Sequence, residues 1–171
     1  MAGLRPGRID RKTDKLSYTK REFMRGVPGS KVVSYDIGAP IENFPLEVSL
    51  IAENECQIRH NALESARVIS NRHLEKRIGK KSYHLKIRIY PHQVLRMNPI
   101  ASGHHADRFG DGMRRSFGKA IGTAARVKEG QKLMSVWISE QNVKEAREAL
   151  RKASMKFPTP CKIKIENVEN A

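Results

Sequence analysis

The sequence predicts an α+β fold: a two-layer sandwich of two helices packed on a mixed or antiparallel sheet, with a basic extended N-terminal arm and a long glycine-rich loop. Two stretches, 61–78 and 139–157, place apolar residues at helical spacing. Others alternate apolar and polar residues with the period of a strand. Their order along the chain is strand, helix, several strands, helix, strand.

Residues 1–35 show no clean period and are broken by Gly3, Pro6, Gly7, Gly26, Pro28 and Gly29. Nine basic side chains against three acidic ones oppose self-collapse, so this segment reads as an arm that orders only against something else. Residues 36–171 read as a single α/β domain. In 46–53, Leu46, Val48 and Leu50 recur at period two, a strand. Asn61 with Glu64 three residues on resembles a capping box. Leu63, Ala66, Ile69, Leu74 and Ile78 follow as a helical stripe, and Gly79 is the stop. Arg67, Arg72, Lys76 and Arg77 lie largely off that stripe, which gives the helix a basic outer face.

The clearest strand is 82–90, with Tyr83, Leu85, Ile87 and Ile89 on one face and His84, Lys86, Arg88 and Tyr90 on the other. Lys86 and Arg88 then stand about 7 Å apart, close to the spacing of successive phosphates. Pro91 ends the run. Residues 101–118 read as a loop rich in glycine, histidine and arginine, longer than the ~12–15 residues at which structureless loops become uncommon. Its polar content keeps it out of a core. It reads as a finger reaching into an RNA site, with arginines on phosphate and glycines permitting close backbone approach. Residues 123–127 and 132–138 read as paired strands joined by the turn Lys128-Glu129-Gly130-Gln131. The last helix starts near Ser139 and carries Val143, Ala146, Leu150, Ala153 and Phe157. Glu140–Lys144 and Glu148–Lys152 support it by ~0.2–0.5 kcal/mol each, and Pro158 and Pro160 end it. Cys161, Ile163 and Ile165 then alternate in a closing strand.

Charge narrows the function. The chain of 171 residues has a formal net charge of +15, a pI near 10.2 and 39% hydrophobic residues. That hydrophobic content argues against a large-core enzyme, and the charge makes a polyanion the default partner. No apolar run approaches the ~18 residues of a membrane span, so no membrane partner is expected. The basic N-terminus has no hydrophobic segment behind it and does not read as a secretory leader. Two cysteines, Cys56 and Cys161, make no disulfide framework, so a soluble, reducing, intracellular setting is expected. The charge is partitioned: residues 1–35 carry net +6, residues 36–60 net −4, and residues 61–130 net +10. Two basic surfaces facing phosphate explain such a partition.

Tests for chemistry fail. The best metal candidate is His104-His105 with Asp107 and Asp111, but adjacent side chains rarely chelate one ion, and neither cysteine sits in a CxxC pair. Gly79-Lys80-Lys81-Ser82 follows a helix rather than a strand and has Leu74 where a P-loop needs its first glycine. Gly110-Asp111-Gly112 has Arg115 where a dinucleotide fingerprint needs its third glycine. No Gly-x-Ser-x-Gly is present. No metal and no cofactor is expected. The alternative reading is an RNA-processing enzyme using His104, His105 and Asp107 as acid–base groups. Aromatics are few, and Tyr83 and Trp137 read as core rather than stacking platforms, so recognition by shape and phosphate fits best.

Five segments carry a resemblance: YTKREFMRGVPGSKVVSYDIG at 18–38, NALESARVISNRHLEKR at 61–77, HLKIRIYPHQVLRMN at 84–98, ADRFGDGMRRSFGKAIGTAARV at 106–127 and VKEAREALRKASMKFP at 143–158. The chain resembles the universal large-subunit ribosomal protein sixteen family in its archaeal and eukaryotic "ten-e" branch. Ala106-Asp107-Arg108, Gly112-Met113-Arg114 and Phe117-Gly118-Lys119 are the most specific part. The end at Ala171 points to an archaeal-type member.

The resemblance implies a non-enzymatic constituent of the cytoplasmic ribosome. Such a protein binds large-subunit ribosomal RNA near the central protuberance and the aminoacyl-tRNA path. Its implied partners are that RNA, the tRNA acceptor region and neighbouring ribosomal proteins, without an obligate homo-oligomer. The loop is then expected to project toward the peptidyl-transferase region, with His104, His105, Asp107, Arg108, Arg114 and Arg115 as candidates. Candidate RNA-binding residues are Arg5, Arg8, Arg11, Lys12, Lys20, Arg21 and Arg25 in the arm. Arg67, Arg72, Lys76, Lys86, Arg88 and Lys119 form the set on the domain.

Overall fold

Among the described residues, eight strands sort into two sheets, each with one face closed over a shared apolar core. The computed structural model describes residues 5–99, 101, 103–108, 110 and 112–168; the side chains of Asn43 and Asp107 also lie outside that description. In chain order the elements are a single helical turn α1 (Gly7–Asp10), β1 (Asp36–Gly38), β2 (Leu46–Ala52), β3 (Cys56–Arg59), α2 (His60–Ile78), β4 (Tyr83–Ile87), β5 (Gln93–Met97), β6 (Lys119–Val127), β7 (Lys132–Ile138), α3 (Val143–Ser154) and β8 (Cys161–Asn167). The larger sheet runs β1-β4-β7-β2-β8 and the smaller β3-β6-β5, antiparallel throughout.

Period-two patterning aims Val48 and Leu50 of β2, Leu85 and Ile87 of β4, and Val136 and Ile138 of β7 at the core. On the larger sheet α2 and α3 lie side by side. Leu63, Ala66 and Leu74 of α2 meet Ala146, Ala149, Leu150 and Ala153 of α3, all fully buried. The alanines let the two helices approach closely. Ser70 interrupts the apolar stripe of α2, but its buried hydroxyl is satisfied by donating to the Ala66 carbonyl at 2.8 Å. Cys56 and Ile58 of β3 and Ala125 and Val127 of β6 join the same core. The helix stop at Gly79 is as expected, with φ of 85° and its N–H on the Glu75 carbonyl.

Several expectations need correction. The strands β6 and β7 do not pair: they belong to different sheets. The link between them is clamped from both sides by Ala52, whose N–H donates to the Gln131 carbonyl at 3.0 Å and whose carbonyl accepts from the Gly130 N–H at 2.9 Å. The chain thus crosses between sheets instead of turning back on itself. Strands β1, β3 and β5 were not expected, and β6 begins at Lys119 rather than at 123. Helix α2 starts at His60, so Asn61 lies inside it, and Glu64 pairs with Arg67 in place of closing a capping box. Helix α3 starts at Val143 after a 3₁₀ turn that takes in Glu140, while the Glu148–Lys152 pair is present at 3.6 Å.

The described part of the arm lies against the domain's own smaller sheet, although it was expected to order only against something else. The Gln57 N–H of edge strand β3 donates to the Arg11 carbonyl at 2.8 Å, and the Val94 N–H of the other edge, β5, to the Tyr18 carbonyl at 3.1 Å. The Gln57 amide and the Arg126 guanidinium add bonds to the carbonyls of Lys12 and Thr13. Met24 and Val32 are buried.

Candidate nucleic-acid interface

The side of the larger sheet facing away from the helices carries the residues that alternate with the core. Glu47 and Ser49 of β2, Ser135 and Trp137 of β7, and His84 and Lys86 of β4 lie there in register. The buried Glu47 carboxylate organises them. It accepts from the hydroxyls of Ser135 at 2.6 Å and Ser49 at 2.7 Å, from Arg88 Nη2 at 2.9 Å and from Lys132 Nζ at 3.3 Å. Burial alone pushes this carboxyl up, but the bonds from Ser135, Ser49, Arg88 and Lys132 outweigh it and hold the group at about 2. Arg88 also lies over the Trp137 ring, 5.0 Å from its centroid. Lys132 reaches Glu166, which in turn holds Lys164. Lys86 is paired with Asp36 at 2.9 Å, and Glu53 with Lys162 at 3.5 Å.

Asp36, Glu47 and Glu53 of the acidic strip at 36–60 are therefore internal counter-charge. Lys86 and Arg88 do not form an open row of cations, because each already has a carboxylate. Sequence reading missed this because the partners come from strands distant along the chain. Glu47 gave one signal, a lone acid at an alternating position of an apolar strand.

Unlike the sheet, helix α2 keeps its cations outward. Arg72, Lys76 and Arg77 are exposed, while Arg67 is half-buried and held by Glu64 at 2.5 and 2.8 Å. A cleft of about 330 Å³ runs along this flank between Arg67, Arg72, Lys76, Asn71 and Glu75. A second, of about 470 Å³, is lined by Lys80, Lys81, Asn71, Tyr83 and Gly38. Lys80 and Lys81 were weighed only as the end of a phosphate loop and not as RNA-binding candidates, although their pairing just after a helix stop was visible in the sequence.

In the arm, Arg8, Arg11, Lys12, Lys20, Arg21 and Arg25 are all exposed. Arg5 is the exception: it is half-buried against the carboxylate of the buried Asp10, which Arg59 also approaches at 3.6 Å. Arg59 further donates to the Arg5 carbonyl at 2.8 Å and so ties the start of the arm to β3.

The long loop joins two neighbouring antiparallel strands, β5 and β6, whose last pair is Met97 with Lys119. It is thus the tip of an extended hairpin, with 3₁₀ turns at Ala106–Arg108 and Gly112–Arg115. His104, His105, Arg108, Arg114, Arg115 and Lys119 are exposed. The two imidazoles stack edge-on with centroids 4.7 Å apart, and His105 has φ of 68°. The side chain of Asp107, and Asp111 altogether, lie outside the described residues. Among the described residues no three His, Cys, Asp or Glu gather as metal ligands, and no helix is long and apolar enough to cross a membrane. At the foot of the loop a Cβ on Gly118 would stand 2.6 Å from the Met97 carbonyl carbon, so only glycine lets the loop close onto β5 here.

This arrangement, basic on arm, helix and hairpin tip and neutralised on the sheet, has known relatives. The family described as ribosomal protein L16p/L10e matches residues 13–164. The large ribosomal subunit protein uL16 of Methanocella arvoryzae is 51% identical over 162 residues, 95% of this chain and 94% of that protein. Its namesake from Methanoculleus marisnigri is 50% identical over 167 residues, 98% of each chain. That of Methanococcus aeolicus is 51% identical over 162 residues, 95% of this chain and 94% of that protein. These relatives are ribosomal proteins and not enzymes, which removes the acid–base reading of His104, His105 and Asp107. The chain belongs to the L16p/L10e family of ribosomal proteins, and its role there is structural rather than catalytic.

Proposed function

We propose that the chain is a structural constituent of the large ribosomal subunit in the cytoplasm. It binds large-subunit ribosomal RNA through its arm, the outer flank of α2 and the hairpin tip. One observation carries this reading. Asp36, Glu47 and Glu53 of the acidic strip are matched with sheet cations, while the arm, the flank of α2 and the hairpin tip keep exposed cations. Arg8, Arg11, Lys12, Lys20, Arg21 and Arg25 meet phosphate from the arm, and Arg72 and Lys76 from the helix. Arg67, Lys86, Arg88 and Arg5 act chiefly by holding their elements in place.

The hairpin tip, with His104, His105, Asp107, Arg108, Arg114 and Arg115, approaches the tRNA acceptor region and helps position aminoacyl or peptidyl tRNA near the peptidyl-transferase centre. Lys119 meets RNA at its root. Strands β5 and β6 support this, since a tip built on paired strands keeps its reach. The remaining surface meets neighbouring ribosomal proteins.

Sedimentation in a sucrose gradient tests the first part: co-migration with large subunits through moderate salt is expected, and an entirely light fraction overturns it. Replacing 103–114 by a short Gly-Ser linker tests the second. Subunits that retain the protein but lose peptidyl-transfer rate fit the proposal, and unchanged transfer removes the tRNA role.

A further inference from the structure

Arg96 of β5 has no carboxylate partner among the described residues, and its guanidinium lies against two aromatic rings, one from the arm and one from the foot of the hairpin tip. Its guanidinium carbon is 4.1 Å from the ring centroid of Phe117, at the foot of the hairpin tip, and 4.8 Å from that of Tyr18, in the arm. The two rings meet edge-on with centroids 6.1 Å apart. Tyr18 is held from behind by its backbone: its N–H donates to Oε1 of the buried Gln93 at 2.7 Å, and its carbonyl accepts from Val94. Phe117 is next to Gly118, which is packed directly on the Met97 backbone. Asn98 adds a bond from its amide to the Arg115 carbonyl at 3.3 Å. Phe117 is 56% exposed, so the burial of a ring is not what keeps it there. The guanidinium sits in the corner between two steeply inclined rings, within cation–π reach of both, and so ties the two segments together.

We propose that Arg96 is a positioning residue that couples the arm to the hairpin tip: its guanidinium joins Tyr18 to Phe117, so that RNA bound along the arm fixes the direction in which the tip leaves β5. This rests on the reading of arm and tip as RNA-facing elements. Because coupling between two sites is reciprocal, loosening either ring must loosen the other segment. A lysine at this position keeps the charge but lacks the planar guanidinium that packs against the rings, so charge and joint are separable.

The test is amide hydrogen exchange on the full-length chain, free and with deproteinised large-subunit rRNA. In the free chain, Arg96→Ala, Arg96→Lys and Tyr18→Ala should each speed exchange at 112–119 by about fivefold to tenfold. Phe117→Leu should do the same at 16–20. The double variant Tyr18→Ala/Arg96→Ala should be no faster than either alone. Core amides of β2 and β7 should stay unchanged in every variant, which shows the fold is intact; should Arg96→Ala unfold, Phe117→Leu carries the same comparison.

With rRNA, protection at 112–119 should appear in the wild type and be lost in Tyr18→Ala, whose cations and salt dependence of binding are intact. Exchange at 112–119 that ignores Tyr18→Ala, or effects of Tyr18 and Arg96 that multiply independently, overturns the proposal. If Arg96→Lys matches the wild type, Arg96 acts as a charge only, and the joint is refuted. A wild-type chain that fails to bind rRNA sinks the functional reading, while the exchange results in the free chain still decide the joint.

Discussion

Glu47 and Arg88 face each other across the larger sheet at 2.9 Å, on the side that carries no helix. The carboxylate is buried and fully bonded, and the guanidinium is braced by Ser135 and Trp137. Burial opposes ionisation of Glu47, but its hydrogen bonds override that effect and hold it at about 2, below its ordinary 4.5. A depressed carboxylate stabilises the fold above the ordinary value, and that contribution disappears as pH falls from 4.5 toward 2. Glu47→Gln should therefore cost about 2 kcal/mol at pH 7, less than for a fully buried pair because Arg88 and Lys132 are partly hydrated. It should also flatten the acid limb of stability against pH, as read by urea unfolding between pH 6 and pH 3.

The same pairing divides the basic residues into two experimental classes. Arg72→Ala and Lys76→Ala should each lower the log–log salt slope of rRNA binding by about 1 while leaving stability within about 0.5 kcal/mol. Arg88→Ala should do the reverse, lowering the melting temperature and leaving the slope nearly intact. Filter binding over a salt series, beside thermal melts, separates the two classes.

Gln57 holds the arm with its backbone N–H and its side-chain amide. Gln57→Ala removes only the side-chain bond, worth about 1 kcal/mol. Trypsin should then cleave the free chain after Arg11, Lys12 and Lys15 about fivefold faster, with cleavage inside α2 and α3 unchanged. A digest identical to wild type would show that the arm is held by other contacts.

Leu150 is fully buried where α3 meets α2. Leu150→Ala should cost about 2–5 kcal/mol, measured by urea unfolding, since packed alanines on α3 leave little to collapse into the gap.

Local periodicity made the helices and the long strands legible. Tyr83, Leu85 and Ile87 fall on one face as their spacing demands, and Leu63, Ala66 and Leu74 do the same on the first helix. Pairings between distant segments were not legible. Cys56–Arg59 and Gln93–Met97 are too short to show a period, and each owes its place to β6. The adjacency of residues 123–127 and 132–138 pointed to a hairpin, but both strands are buried deeply enough to sit centrally in separate sheets. In the candidate site, charge located the arm, the helix flank and the loop. It could not distinguish Arg72, open to solvent, from Arg88, matched to Glu47, because the matching acid is 41 residues away. Arg96 escaped notice for the same reason, since Tyr18 lies in the arm and Phe117 across the long loop.

Strand β2 lies between β7 and β8, although it precedes both by most of the domain. As the chain is synthesised, Leu46–Ala52 emerges early, and its two neighbours, Lys132–Ile138 and Cys161–Asn167, are the last strands made. Until then an apolar strand has both edges unpaired, in a nascent chain with a strong excess of positive charge. Closure of the larger sheet is therefore a late, non-local event, slow relative to local helix formation. The larger sheet cannot be completed before Cys161–Asn167 has been made.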